Sequence, residues 1–184
     1  LLLAIMIFGA IFPGEPSPIF GPWYAWAAVG QIDPTRNNFT DIRKGEYPTA
    51  EKMLDIEAGY IYNTKIVSLG INLYYMMYRD QLVQTGELSD TGESLSRNVP
   101  DSYRRGVELS LAVNATKWFS FGGNATLSQN HIKNYVDYIY YADYSDVVAF
   151  ERGRTTIAYS PSVIAGTFFD FHTHGFAARL STRY

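Results

Sequence analysis

From Val67 to Met77 the chain alternates with a period of two. Val67, Leu69, Ile71, Leu73, Tyr75 and Met77 fall on one set of positions, and Ser68, Gly70, Asn72, Tyr74 and Met76 on the other. Successive side chains of an extended strand point to opposite sides, so this stretch has one apolar face and one that is mostly small and polar. A β-barrel wall with lipid outside and water inside requires that combination.

The pattern recurs. Leu54, Ile56, Ala58, Tyr60 and Tyr62 interleave with Asp55, Glu57 and Gly59. Tyr103, Val107, Leu109, Leu111 and Val113 share a face opposite Arg104, Gly106, Glu108, Ser110 and Ala112. After Lys117, Phe119, Phe121, Ala125 and Leu127 oppose Ser120, Gly122, Asn124, Thr126 and Ser128. Charged groups thus sit away from the apolar face, and aromatic residues gather near strand ends, where rings meet the water boundary of a membrane.

Of 184 residues, 47% are hydrophobic and 16% aromatic, yet the mean hydropathy is only -0.12. The apolar content is dispersed rather than gathered into the long blocks that helical membrane proteins need. A net charge of -3 with no basic face repeating along the chain argues against a nucleic-acid partner. The absence of cysteine excludes disulfides and thiolate metal sites. Asp170, His172 and His174 alternate in a way that suits a metal, but no fourth ligand lies near, so no metal and no cofactor is expected. Without a phosphate-binding glycine loop, a GxSxG elbow or a cysteine nucleophile, the chain reads as a non-enzyme.

Connector lengths order the strands. Seven are expected, near residues 19–30, 51–62, 66–84, 97–113, 118–134, 159–171 and 175–184. The links at Asn63–Lys65, Ala115–Lys117 and His172–Gly175 are short, whereas those at Ile32–Ala50, Gln81–Asp101 and Tyr135–Ala158 are long. Strict alternation of short and long links matches the periplasmic turns and extracellular loops of outer-membrane barrels. Ile66 to Gln84 exceeds the roughly 9 to 11 residues a tilted strand needs to cross, so it should project outside. Arg79 and Arg105 lie in register with the apolar face near the long-link ends, at headgroup level. The first 22 residues, an apolar run to Pro13 followed by Gly14, Glu15, Pro16 and Pro18, form an unassigned segment. That run is too short for a spanning helix and lacks a basic leader region; the chain is expected to begin inside a longer protein, with this run the remnant of a strand or a junction, a truncated signal segment being the lesser alternative.

Several strings carry a family resemblance: DPTRNNFTD at Asp33–Asp41, EKMLDIEAGY at Glu51–Tyr60, INLYYMMYRDQLVQTGELSDTGE at Ile71–Glu93 and NVPDSYRRGVELSL at Asn98–Leu111. With NATLSQNHIKNY at Asn124–Tyr135 and IAYSPSVIAG at Ile157–Gly166, they resemble the β-barrel of TonB-dependent outer-membrane receptors of Bacteroidetes type. The likeness runs over residues 23–184. It implies an all-β fold, an antiparallel transmembrane barrel fragment of about seven strands belonging to a 22-strand cylinder. It further implies location in the outer membrane, contact with its lipid, and active import of a large nutrient of the siderophore, cobalamin or glycan class. A plug domain and TonB would be the partners in the complete protein, and neither has a counterpart in these residues.

Two loop clusters are candidate substrate contacts. Arg36, Asn37 and Asn38 make a polar group beside Pro34, where asparagine also serves as a turn former. Tyr138, Tyr140, Tyr141 and Asp143 belong to a Tyr- and Asp-rich stretch suited to stacking on a sugar or chelate, or to an interfacial belt. Asp55, Glu57, Arg104 and Glu108 are expected to face the lumen, as a polar lining or as cross-strand ion pairs. Two other readings fit the alternation: a small self-contained barrel with a structural or adhesive role, and a soluble carbohydrate-binding β-sandwich.

Overall fold

The computed structural model describes residues 5–12, 23–39, 47–88, 94–140 and 147–184. Its strands are β1 (Ile5–Phe12), β2 (Trp23–Ile32), β3 (Glu51–Asn63), β4 (Val67–Leu88), β5 (Ser94–Asn114), β6 (Phe119–Tyr140), β7 (Val147–Thr156), β8 (Val163–Thr173) and β9 (Phe176–Arg183). The seven expected strands are all present, and two join them. The early apolar run supplies β1, and β7 lies within a stretch read as a loop.

All pairings are antiparallel and build one sheet in the order β1-β2-β3-β4-β5-β6-β8-β9, with β7 also on β6. Strands β7 and β8 share the same flank of β6, since His131 opposes Thr156 and Leu127 opposes Val163. Residues 157–162 therefore pass beside only residues 128–130 of β6, and β7 and β8 form one interrupted stave. At the sheet edges, β1 and β9 do not pair with each other, and no second sheet covers either face among the described residues.

Register carries the sequence pattern across the sheet. Ala58, Leu73, Val107 and Leu127 lie in one cross-strand row, while Glu57, Tyr74, Gly106 and Ser128 form the corresponding row on the other face. The apolar face is uncovered: Leu73 and Leu127 are each 52% exposed and Leu180 62%. We call this the outer face. At the short-link end it carries an aromatic cluster, with Trp23 and Tyr60 at 4.8 Å and Phe119 and Phe171 at 4.9 Å between ring centroids.

The short links have a local chemical cause. Val67 N–H donates to Thr64 Oγ1 at 2.8 Å, and Thr64 N–H donates to the Val67 carbonyl at 2.8 Å. The next turn repeats the Thr-Lys-apolar-apolar sequence: Thr116 N–H donates to the Phe119 carbonyl, and Trp118 N–H to Thr116 Oγ1. Threonine hydroxyls close such turns by replacing a backbone partner. The link between β8 and β9 needs only His174 and Gly175, and Gly175 has φ 76°, a conformation that favours glycine.

The long connections keep their length, but two are built as ribbons: β4 runs to Leu88 against β5 from Ser94, and β6 runs to Tyr140 against β7 from Val147. At the base of these ribbons the alternation reverses phase. Asp80 and Asn134 have φ 54° and 52°, the left-handed region that Asp and Asn tolerate better than most residues, and Pro100, with no N–H to give the ladder, lies at the corresponding place in β5. Beyond this line Val83 and Val99 bury against Ile132 and Ile157, which lie just below it, and Tyr135 packs on the same cluster. Below it, Ile132 shares a row with Ser102, on the polar face. The ribbons thus turn their apolar residues inward, where the lower sheet turns them outward.

Candidate functional site

The inner face of β2–β6 gathers the polar groups. Its lower part is organised by Asn72, whose amide nitrogen donates to Glu57 Oε2 at 2.7 Å and to Glu108 Oε2 at 3.3 Å. Tyr24 hydroxyl donates to Asn72 Oδ1 at 3.0 Å. One amide therefore ties β2, β3, β4 and β5 together and stands between two carboxylates.

Higher on this face, Arg104 Nη1 donates to Ser160 Oγ at 2.8 Å, and its guanidinium lies 6.0 Å from the Tyr78 ring centroid. Ser160 belongs to the segment between β7 and β8. Ser128 Oγ donates to the Pro161 carbonyl at 3.0 Å, and Asn130 Nδ2 reaches the Ser160 carbonyl at 3.5 Å. These partners all lie on the polar face, so the interruption of the stave folds inward. Tyr159, with φ 55° and 92% exposure, stands at its tip. Asp55 is buried, and its Oδ1 has no hydrogen-bond partner.

The four residues expected to line the lumen share one face, but they are not held by ion pairing. Among the described residues no ion pair joins Asp55, Glu57, Arg104 or Glu108; Asn72 engages Glu57 and Glu108 and Ser160 engages Arg104, while Asp55 Oδ1 is left without a partner. An inner-face ion pair occurs elsewhere: Arg179 Nε and Nη2 donate to the two Asp170 oxygens at 2.6 and 2.7 Å. That contact engages the Asp170 carboxylate next to His172.

Arg36 is exposed on a 3-10 turn, Arg36–Phe39, that also contains Asn37. Asn38 shapes this turn, because its Oδ1 accepts from both Thr35 N–H and Thr35 Oγ1 at 2.7 Å. The same connection is tied to β5, where Asn98 Oδ1 accepts from Thr49 N–H at 2.8 Å. Tyr138 and Tyr140 fall on the last residues of β6, in the ribbon with β7. Tyr141 and Asp143 lie outside the described residues.

The residues not singled out from sequence are Asn72, Tyr24 and Ser160. Asn72 was legible as a polar-face position, but its role depends on Glu57 and Glu108 flanking it, which only the register of three strands provides. Ser160 has no sequence signal.

A family model described as "TonB dependent receptor-like, beta-barrel" matches residues 16–184. No curated protein matches. Among solved structures, the copper transporter OprC is similar with a TM-score of 0.60 and 16% identity, over 89% of this chain and 24% of that one. The chain spans about a quarter of that protein's length, and at this identity the likeness speaks to the fold.

Proposed function

Because the chain belongs to the TonB-dependent receptor β-barrel family, we propose that it forms a sector of the wall of an outer-membrane receptor that imports a large nutrient with energy relayed by TonB. The observation that carries this reading is the division of a single sheet into an uncovered apolar face and a polar face bearing Glu57, Asn72, Arg104 and Glu108. In lipid such an apolar face is the solvated one, and the polar face lines an aqueous lumen. The short Thr-Lys turns are then periplasmic, and the two ribbons stand outside the cell.

In this reading the nutrient is a siderophore, cobalamin or glycan. Arg36, Asn37, Tyr138, Tyr140, Tyr141 and Asp143 meet it at the mouth, while Asn38 holds the turn that presents Arg36. Asp55, Glu57, Arg104 and Glu108 line the passage or face the plug of the complete receptor. The open edges at β1 and β9 suit a sector that further strands complete.

The test is uptake by cells in which the intact protein is the sole receptor. Labelled ferric siderophores, cobalamin and oligosaccharides are offered in turn, with and without TonB. Uptake of one class that disappears on deleting either the protein or TonB is expected. Uptake of all three that is indifferent to both deletions would overturn the reading.

A further inference from the structure

Four cations stand on the outer face just below the line where the strands change phase. Lys52, Arg79, Asp101 and Lys133 occupy one cross-strand row over β3, β4, β5 and β6. Arg105 lies on the same face two positions further along β5. We propose that Lys52, Arg79, Arg105 and Lys133 form a binding surface for the phosphorylated headgroup of an outer-leaflet lipid.

Three observations converge on it. The first is height. From Val67 at the short turn to Arg79, twelve residue steps of about 3.3 Å along a strand tilted by about 45° climb about 28 Å. That is close to the roughly 25 Å height of an apolar band, so the row lies at headgroup level. The phase reversal at Asp80 and Asn134, next to Arg79 and Lys133, marks the same border from the ribbon side.

The second is preorganisation. Tyr103 is only 8% exposed although it belongs to the uncovered face. It is overlaid by Arg105 at 5.5 Å and Lys133 at 5.9 Å, and flanked by Tyr75 and His131 at 6.2 and 5.7 Å. Arg105 is further fixed by donating from Nε and Nη2 to Gln129 Oε1 at 3.0 and 2.7 Å. Lys52 and Arg79 are exposed and make no ion pair among the described residues, and Asp101 is the one acid in the two rows. Three inter-strand gaps of about 4.8 Å separate Lys52 from Lys133, giving a cationic platform about 14 Å wide.

The third is what lies below. An open groove of about 620 Å³ begins at Arg105; Tyr75, Val107, Leu127, Gln129 and Val163 line it, together with Tyr74, Gly106, Ser128 and Ser162. A charged rim over a mixed, mainly apolar groove matches a phosphorylated head with an acyl chain beneath it, whereas free phosphate has no use for the groove. The proposal rests on the outer-membrane reading only in that the outer face meets lipid, and lipid retention is measured independently of uptake.

The intact protein is isolated from outer membranes in neutral detergent, and bound phosphorylated lipid is counted by native mass spectrometry. It is then delipidated and offered phosphatidylcholine vesicles with or without lipid A. Wild type is expected to retain phosphorylated lipid and to rebind lipid A. Lys52→Gln with Arg79→Gln, which leaves the Tyr103 stack intact, should weaken rebinding by about fivefold per cation removed at an anionic surface. Adding Arg105→Gln and Lys133→Gln should abolish it. Lys65→Gln with Lys117→Gln, the same charge change at the short turns, should leave it unaltered. Rebinding by the Lys52/Arg79 variant equal to wild type, an equal loss in the Lys65/Lys117 variant, or no lipid bound to wild type would each overturn the proposal.

Discussion

Three aromatic rings on the inner face lie over the glycine directly opposite on the neighbouring strand: Tyr24 over Gly59, Tyr74 over Gly106 and Phe168 over Gly122. A ring covering a strand glycine supplies the packing that the missing side chain does not. The obstacles differ between sites. At Gly59 an added Cβ meets the Tyr24 ring, whereas at Gly106 it meets the Leu127 carbonyl of the backbone as well as the Tyr74 ring. Both Gly59→Ala and Gly106→Ala should destabilise by about 1–3 kcal/mol through overpacking. Adding Tyr24→Ala should relieve the first, and Tyr74→Ala should not relieve the second, as denaturant unfolding in lipid vesicles will measure. A second residue-scale test separates the faces. Leu109→Arg, on the outer face midway between the turn and the cationic row, should cost about 2–4 kcal/mol in lipid, and Ser110→Arg on the inner face far less. Equal costs would mean that the faces are wrongly assigned.

At the scale of the element, the strands below Arg79 were legible because alternation and register agree: every apolar position from Leu69 to Met77 finds an apolar or aromatic partner in β3, from Tyr62 to Leu54. The ribbons were harder to read. A period-two pattern sorts residues into two classes without saying which class points inward, and one left-handed residue exchanges them. Gln81 and Val83 continue the parity of Arg79, yet Val83 packs inward with Ile132 and Gln81 accepts a hydrogen bond from Ser102 Oγ at 2.5 Å. β7 was missed for a related reason. Val147 to Thr156 owes its strand to β6, with Asp137 and Arg152 paired across the ribbon at 3.0 Å, and its own sequence does not alternate. The left-handed positions give a test. Asn134→Gly should preserve the β6–β7 ribbon, while Asn134→Val should destabilise it by about 1–2 kcal/mol, since β-branched residues resist that conformation. Amide exchange should then speed up at residues 135–137 and 150–156 and stay slow at residues 121–127.

For the whole molecule, the described residues form one sheet with an uncovered apolar face, and in the outer-membrane reading proposed above lipid supplies its second layer. The chain contains no cysteine, so single introduced thiols report on this directly. In native membranes Glu108→Cys should react with a charged maleimide and Leu109→Cys should be protected, a contrast that detergent-free aggregation would erase. The inner-face residues named from sequence do share a surface, but the amide of Asn72 and the inward segment at Ser160 that engage three of them follow from tertiary register and from where a stave is interrupted. The reversal at Asp80, Pro100 and Asn134 has a mechanical consequence. Val83 and Val99 of the ribbon pack on Ile132 and Ile157 at the top of the wall, so the buried cluster bridges the reversal line. A pull on a ribbon tip therefore reaches the top of the wall through this cluster as well as along the strands.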